Sequence, residues 1–225
     1  ASYNLIQENV PKEKIIQTGN TVIDALIWMT GKLEDDPQLA GEMLSFVSNL
    51  NSKHNDYILV TGHRRENHGE GFKNICLALR EIALSRPEIA IVYPVHPNPN
   101  VSGPITEALN DLPNIYLTPP QDYAPFIYLM KKSKMILTDS GGVQEEAPSL
   151  GKPVLVMREV TERQEALDAG TVKLVGSSKN LIVESVFSLL DNQEIYNSMS
   201  AKSNPYGDGL ASKRILNNIF SQFIK

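Results

Sequence analysis

The chain has 225 residues, 41% of them hydrophobic and 21% charged, with a formal net charge of −5. That length suffices to bury a sizeable core in one large domain or two small ones, and the composition is that of a soluble globular protein rather than a disordered one. The acidic balance, with no basic run or stripe, argues against nucleic acid as a partner. No segment has the apolar length of a membrane span, and a single cysteine rules out an internal disulfide or a cysteine-based metal cluster and fits a reducing cytoplasm.

Residues 1–50 carry a helical fragment at 3–9, a short strand "IIQTG" at 15–19, and two helices near 20–31 and 36–50, in no regular alternation. A lone strand with no sequence neighbour to pair with reads as the end of a preceding domain, and the chain starts at Ala1 rather than at a methionine. The expectation is a crossover segment over 1–50, at the end of an amino-terminal domain not included here, followed by a Rossmann-like domain over 51–225.

From residue 57 onward, short apolar runs alternate with amphipathic stretches. Strands are predicted at 57–62, 89–95, 114–119, 135–139, 153–157 and 171–176, most of them continuous rather than alternating, as suits strands covered on both faces. Helical patterns fall at about 71–85, 103–110, 124–132, 142–149, 178–190 and 209–224. In the first of these Cys76 shares a face with Phe72, Ile75, Leu79, Ile82 and Ala83, so it reads as a small core residue. Such alternation implies βαβ units and an α/β, doubly wound parallel sheet, whose ligands bind at the carboxyl ends of the strands.

The segments just past the strands are therefore the candidate site. "DSGG" (139–142) leaves a strand and opens a helix; Gly141 and Gly142 let a ligand reach backbone amides, where the helix start favours a phosphate by roughly 0.3–1 kcal/mol. Ser140 either caps that helix or donates to the same phosphate, and Pro148 keeps the helix short or kinked. Glu146, four residues after Gly142, stands one turn deeper on the same face, where a carboxylate can accept from a sugar diol or simply offset the helix dipole.

"HRREN" (63–67) places His63 off a strand end as acid, base or phosphate partner, whereas "HPNPN" (96–100) places His96 at a second strand end among prolines and reads as a rigid loop. His63, Glu66 and His68 follow no helical metal-ligand spacing, so no metal is expected. Gln121 can read a base or sugar edge, Phe126 either stacks on one or fills the core, and Arg163 in "VTERQE" can pair with an anion. His54 has no such context and reads as a surface residue. "NPYGDG" (204–209) reads as a turn before the last helix, with Asp208 as its cap.

Taken together, "GNTVIDAL" (19–26), "HRREN", "YPVHPNPN", "DSGGVQEEAPSLGKPVLVMR" and "NPYGDG" resemble, in this order, the bacterial non-hydrolysing UDP-N-acetylglucosamine 2-epimerases. The resemblance covers nearly the whole chain and implies the carboxyl-terminal half of a glycosyltransferase-B-like two-domain fold. It implies that Ser140, Gly141 and Gly142 hold the diphosphate of UDP-N-acetylglucosamine, and Glu146 the ribose hydroxyls. Gln121 and Phe126 would contact the uracil or its surroundings, and Arg163 would face the diphosphate. His63 would lie beside the reacting sugar as the catalytic candidate, while Arg64 and His96 match positions that contact a second, regulatory UDP-N-acetylglucosamine in some members.

The implied reaction interconverts UDP-N-acetylglucosamine and UDP-N-acetylmannosamine by eliminating and re-adding UDP, for cell-surface polysaccharide synthesis. It needs no cofactor, and the proton-moving carboxylates would lie in the missing domain, so this chain should bind UDP without turnover. The full-length protein is expected to be a cytoplasmic homodimer. The alternatives are a hydrolysing epimerase, a glycosyltransferase of similar fold, or a non-catalytic nucleotide-binding module. One departure stands out: the family commonly has proline after "TER", where this chain has Gln164.

Overall fold

A computed structural model describes residues 2–67 and 69–223. Among them, β1 (Asp56–Thr61), β2 (Ile89–Pro94), β3 (Ile115–Thr118), β4 (Met135–Thr138), β5 (Val154–Val156) and β6 (Val172–Leu174) form one sheet in the order β3-β2-β1-β4-β5-β6, with every pairing parallel. The helices are α1 (Ser2–Gln7), α2 (Thr21–Asp35), α3 (Glu42–Asn51), α4 (Glu70–Ser85), α5 (Pro99–Leu109), α6 (Tyr123–Lys132), α7 (Gly141–Glu146), α8 (Gln164–Ala169), α9 (Lys179–Asp191), α10 (Gln193–Ser200) and α11 (Ala211–Phe223). All six strands predicted from 57 onward are present. The order reverses between β1 and β4, which makes that junction the switch point of a doubly wound sheet.

Successive strand residues point to opposite faces, so each strand feeds two cores. Ile58, Val60, Ile91, Tyr93 and Leu137 pack under α4, α5 and α9, with Phe72, Ile75, Cys76, Leu79, Ile105 and Ile182. Tyr57, Leu59, Val92, Ile136 and Val156 pack on the other face, under α2, α3, α6 and α7. Each fully buried aliphatic side chain contributes roughly 1.5–3 kcal/mol. The continuous apolar runs follow from this double coverage, and partial exposure is greatest in the edge strands β3 and β6. Burial pushes the Cys76 thiol up to about 11, as befits a core residue.

One local expectation is corrected. Residues 15–19 form no strand: they run from the 3-10 turn Lys12–Lys14 to α2 with no neighbouring strand to pair with, and an extended segment without a ladder is not a sheet element. Helices α8 and α10 were not anticipated; one is six residues long and the other buries none of its eight, so neither leaves a clear periodic stripe. His54 is half-buried at the surface, and its ring nitrogens meet the Pro87 carbonyl and the Tyr116 hydroxyl at 3.2 and 2.9 Å. Pro148 acts as expected: α7 ends at Glu146 and continues only as a 3-10 turn, Ala147–Leu150.

Helices α2 and α3 share the sheet's core: Leu26 and Leu33 of α2, with Met43, Val47 and Leu50 of α3, are buried on one face. "GNTVIDAL" and "NPYGDG" interlock there. The Asn20 amide donates to the Tyr206 carbonyl, and the Asp24 carboxylate accepts from the first two amides of α11, Ala211 and Ser212, at 3.1 and 2.8 Å. Asp208 accepts from the Leu210 amide and pairs with Arg214, so it shapes the turn while Asp24 caps the helix.

Partial desolvation raises the Asp24 carboxyl, but bonds from Ser212 and Ala211 outweigh it and leave it below the usual value of 3.8. A depressed carboxylate stabilises the fold above its unfolded value and loses that contribution as pH falls through the folded one. Asp24→Ala is therefore expected to cost about 1 kcal/mol in urea unfolding at pH 7. That deficit should shrink towards zero as unfolding is followed below pH 3.8.

Candidate functional site

The carboxyl ends of β1, β2, β3 and β4 surround a cleft of about 240 Å³ at the switch point. Thr61, Gly62 and His63 line it from β1, Pro94 and His96 from β2, Pro120, Gln121 and Phe126 from β3 and the start of α6, and Ser140 and Val143 from β4 and α7. Of the residues singled out by sequence, His63, His96, Gln121, Phe126 and Ser140 therefore converge. Phe126 packs partly against the core and also lines the cleft. Gln121 donates to the Pro119 carbonyl at 2.7 Å.

The floor of the cleft is held by Asp139. This carboxylate is fully buried; its Oδ2 accepts from the His63 and Arg64 amides at 2.9 and 2.8 Å and from Asn67 Nδ2 at 3.3 Å. Asn67 also donates to the Met157 carbonyl at the end of β5. Beside this bridge the Thr61 and Thr138 hydroxyls meet at 2.6 Å, and Thr138 Oγ1 accepts from the Ser140 amide.

Gly62 makes room for the Tyr93 hydroxyl, because a Cβ there would stand 2.9 Å from it. Tyr93 donates to the Gly62 carbonyl, and burial, with Asp139 nearby, holds its phenol well above the usual range. His63, with 47% of its side chain exposed, stacks on His96 at 5.6 Å between ring centroids and 16° between planes. Arg64 enters the site through its main-chain amide.

Ser140 takes the N-cap position of α7, yet its side chain makes no capping bond, so its hydroxyl is available to the cleft. The first-turn amides of α7 have no carbonyl within the helix to donate to. At Gly142 an added Cβ would meet only Ser140 Oγ, at 4.0 Å, so the backbone there is open; at Gly141 it would stand 3.3 Å from Arg163 Nη2. Arg163 thus lies against the helix start. It is not a free cation, however: its Nε donates to Glu145 at 2.6 Å and its Nη1 pairs with Glu162 at 3.0 Å. Gln164, the departure from the family pattern, sits at the first position of α8, where proline would also fit, and bonds Asp168 one turn on.

Glu146 and Arg163 flank the cleft rather than line it. Glu146 is 8% exposed and accepts from the Tyr123 hydroxyl at 3.0 Å. Burial is the main cause that raises its pKa, the Tyr123 bond works against this, and Glu145 adds to it. Sequence reasoning passed over Asp139, Tyr123, Glu145 and Asn20. Asn20 donates to Glu145 Oε2 at 2.7 Å, and Asn204 donates to the Glu145 carbonyl, so both flanking motifs converge on this one residue. For Asp139, Glu145 and Asn20, presence in the quoted motifs was the available signal. His68 lies outside the described residues; among those described, no three His, Cys, Asp or Glu side chains gather as metal ligands, and no helix is long and apolar enough to cross a membrane.

A parallel, doubly wound domain with its cleft at the switch point is the Rossmann-like unit of a glycosyltransferase-B-like fold. The chain belongs to the UDP-N-acetylglucosamine 2-epimerase family, whose model matches residues 1–220. It is 57% identical over 217 residues to the UDP-N-acetylglucosamine 2-epimerase of Campylobacter jejuni, covering 95% of this chain and 56% of that protein. Among solved structures, it is similar to the Neisseria meningitidis UDP-GlcNAc 2-epimerase bound to UDP-GlcNAc (50% identity, TM-score 0.91, 98% of this chain and 59% of that one). It is also similar to Staphylococcus aureus MnaA in a co-structure with UDP (40% identity, TM-score 0.89, 99% and 58%). The chain thus spans little more than half the length of these relatives.

A buried carboxyl with a raised pKa stabilises the fold below its unfolded value, and that contribution is lost as pH rises through the folded one. Glu146→Gln keeps an acceptor for Tyr123 and removes the ionisation. It should therefore melt at or above the wild-type temperature at pH 7, with the difference closing towards pH 4.5, the usual carboxyl value, as read by calorimetric scans across that range.

Proposed function

We propose that this chain is the UDP-binding half of a non-hydrolysing UDP-N-acetylglucosamine 2-epimerase. The observation that carries this reading is the convergence of His63, His96, Gln121, Phe126 and Ser140 on one switch-point cleft beside an uncapped, glycine-lined helix start. The relatives described as bound to UDP-GlcNAc and to UDP support it. In this reading Ser140 and the amides at Gly141 and Gly142 take the diphosphate, with Arg163 alongside. Glu146 takes the ribose hydroxyls next to Tyr123, and Phe126 and Gln121 face the uracil. His63 lies beside the sugar, and Arg64 and His96 serve a second, regulatory substrate molecule.

In the reaction the C2 proton leaves to a base while the anomeric C–O bond breaks, and UDP departs with the bonding electrons. Helix-start amides stabilise the charge that develops on it. UDP then adds back at C1 while a proton returns to C2 on the opposite face. The groups that move that proton belong to the part of the protein beyond this chain, so the chain alone binds UDP and does not epimerise. In the whole protein we place the enzyme in the cytoplasm as a homodimer.

Titration calorimetry of this chain with UDP tests the reading, which fails if neither heat nor thermal stabilisation is seen. Gly142→Ala should leave the melting temperature unchanged or higher, because helical alanine is favoured by about 0.5–1 kcal/mol. It should also weaken UDP roughly tenfold by crowding the exposed amides. Glu146→Gln should weaken UDP roughly ten- to a hundredfold but leave 2′,3′-dideoxy-UDP unaffected, since a charge-assisted bond to a diol is what it removes.

A further inference from the structure

Asp139 carries more than the loop it clasps. Its Oδ2 meets the three donors described above, yet Oδ1 is buried and accepts no hydrogen bond. A buried, unsatisfied carboxylate oxygen is costly and calls for a role. That oxygen stands 3.9 Å from His63 Nδ1, at the edge of ion-pair range, and the role inferred below has the imidazole turn to close this gap to a hydrogen bond. The ring has little freedom otherwise: its own amide is bound to the same carboxylate, and His96 stacks on one face. With Nδ1 turned to Asp139, Nε2 is the nitrogen left to the cleft that His63 lines.

We infer that Asp139 is a positioning residue for His63: its free oxygen holds the proton on Nδ1, so that Nε2 faces the bound sugar nucleotide as the unprotonated nitrogen of the neutral ring. The inference rests on the reading of His63 as the group beside the reacting sugar. A carboxylate that only accepts fixes the tautomer of the imidazole it touches. The carboxamide of Asp139→Asn can still take the His63 and Arg64 amides through its oxygen, but it then presents an N–H to Nδ1 and reverses the tautomer. The same exchange in a serine-protease triad keeps the geometry and removes most of the rate.

The test is nitrogen-15 NMR of the imidazoles in this chain above pH 8, without nucleotide, with the His63 signals assigned by their loss in His63→Gln. The expected wild-type spectrum has Nδ1 protonated and Nε2 unprotonated, and Asp139→Asn should exchange the two. A wild-type Nε2–H tautomer, or a folded Asp139→Asn with the wild-type pattern, would overturn the inference. The wild-type spectrum decides the matter even if the variant does not fold. In the full-length protein, Asp139→Asn should lower kcat by roughly a hundredfold or more with little change in KM. A clasp with no other role would lower the melting temperature and leave the imidazole nitrogens unchanged. Because the spectrum needs no UDP, a failure of the tautomer prediction is distinct from a failure of UDP to bind.

Discussion

One buried carboxylate ties the two halves of the sheet together where their winding reverses. Asp139 stands at the end of β4, and its contacts lie on the loop after β1 and, through Asn67, at the end of β5. Strand pairing alone would leave these chain ends to diverge, since the ladder between β1 and β4 ends at Thr61 and Thr138. A charge this deep is tolerated only because three N–H groups converge on it, and removing it would leave two amides unsatisfied. The cleft owes its shape to that constraint: His63 is set by its own amide, and Ser140 is the next residue after the carboxylate.

A second set of contacts works at the other side of α7. Glu145 receives Asn20 and Arg163 on its two carboxylate oxygens and Asn204 on its main-chain carbonyl. Residues far apart in sequence thereby set the position of a guanidinium at the start of α7. Gly207 packs closely on the Asn20 backbone, where a Cβ would come within 3.4 Å, so the two outer motifs form one joint rather than two turns. Glu145 is what links that joint to Arg163.

The layout of strands was legible because each central strand is covered on both faces, and double coverage demands unbroken apolar runs such as those of β1 and β2. It failed at 15–19, where "IIQTG" has strand-like residues but no partner strand in space, and pairing is a tertiary property that composition does not record. The site was legible to the extent that strand ends predict it. His63, His96, Gln121 and Ser140 follow their strands directly, so knowing the strands located them. What was hidden is partner choice: Tyr123 against Glu146, and Glu145 and Glu162 against Arg163, join segments whose proximity depends on helix packing. Asp139 was hidden differently, for it was quoted in the motif, but nothing in a sequence marks which of its neighbours' amides will turn inwards.

The pairing of Arg163 bears directly on how an anion can be held beside two glutamates. Glu66, Arg158, Glu162, Arg163 and Glu145 form a continuous chain of ion pairs, three carboxylates against two guanidiniums, which leaves one net negative charge. A diphosphate at Ser140–Gly142 would therefore meet an arginine already engaged, and an exchange of one partly exposed partner for another yields only about 0–1 kcal/mol. In the proposed function most of the attraction would then come from neutral donors, the helix-start amides and the Ser140 hydroxyl, with apolar contact at Phe126. Should Arg163 turn to the anion, the two carboxylates are not equivalent. Glu145, 12% exposed, is held by Asn20, whereas Glu162, 47% exposed, has Arg158 as a second partner. Glu162 is thus the one that can withdraw without leaving a buried charge unpaired, and Nη1 of Arg163 would be released while Nε stays fixed on Glu145. The glutamate within the motif is what keeps the arginine in place.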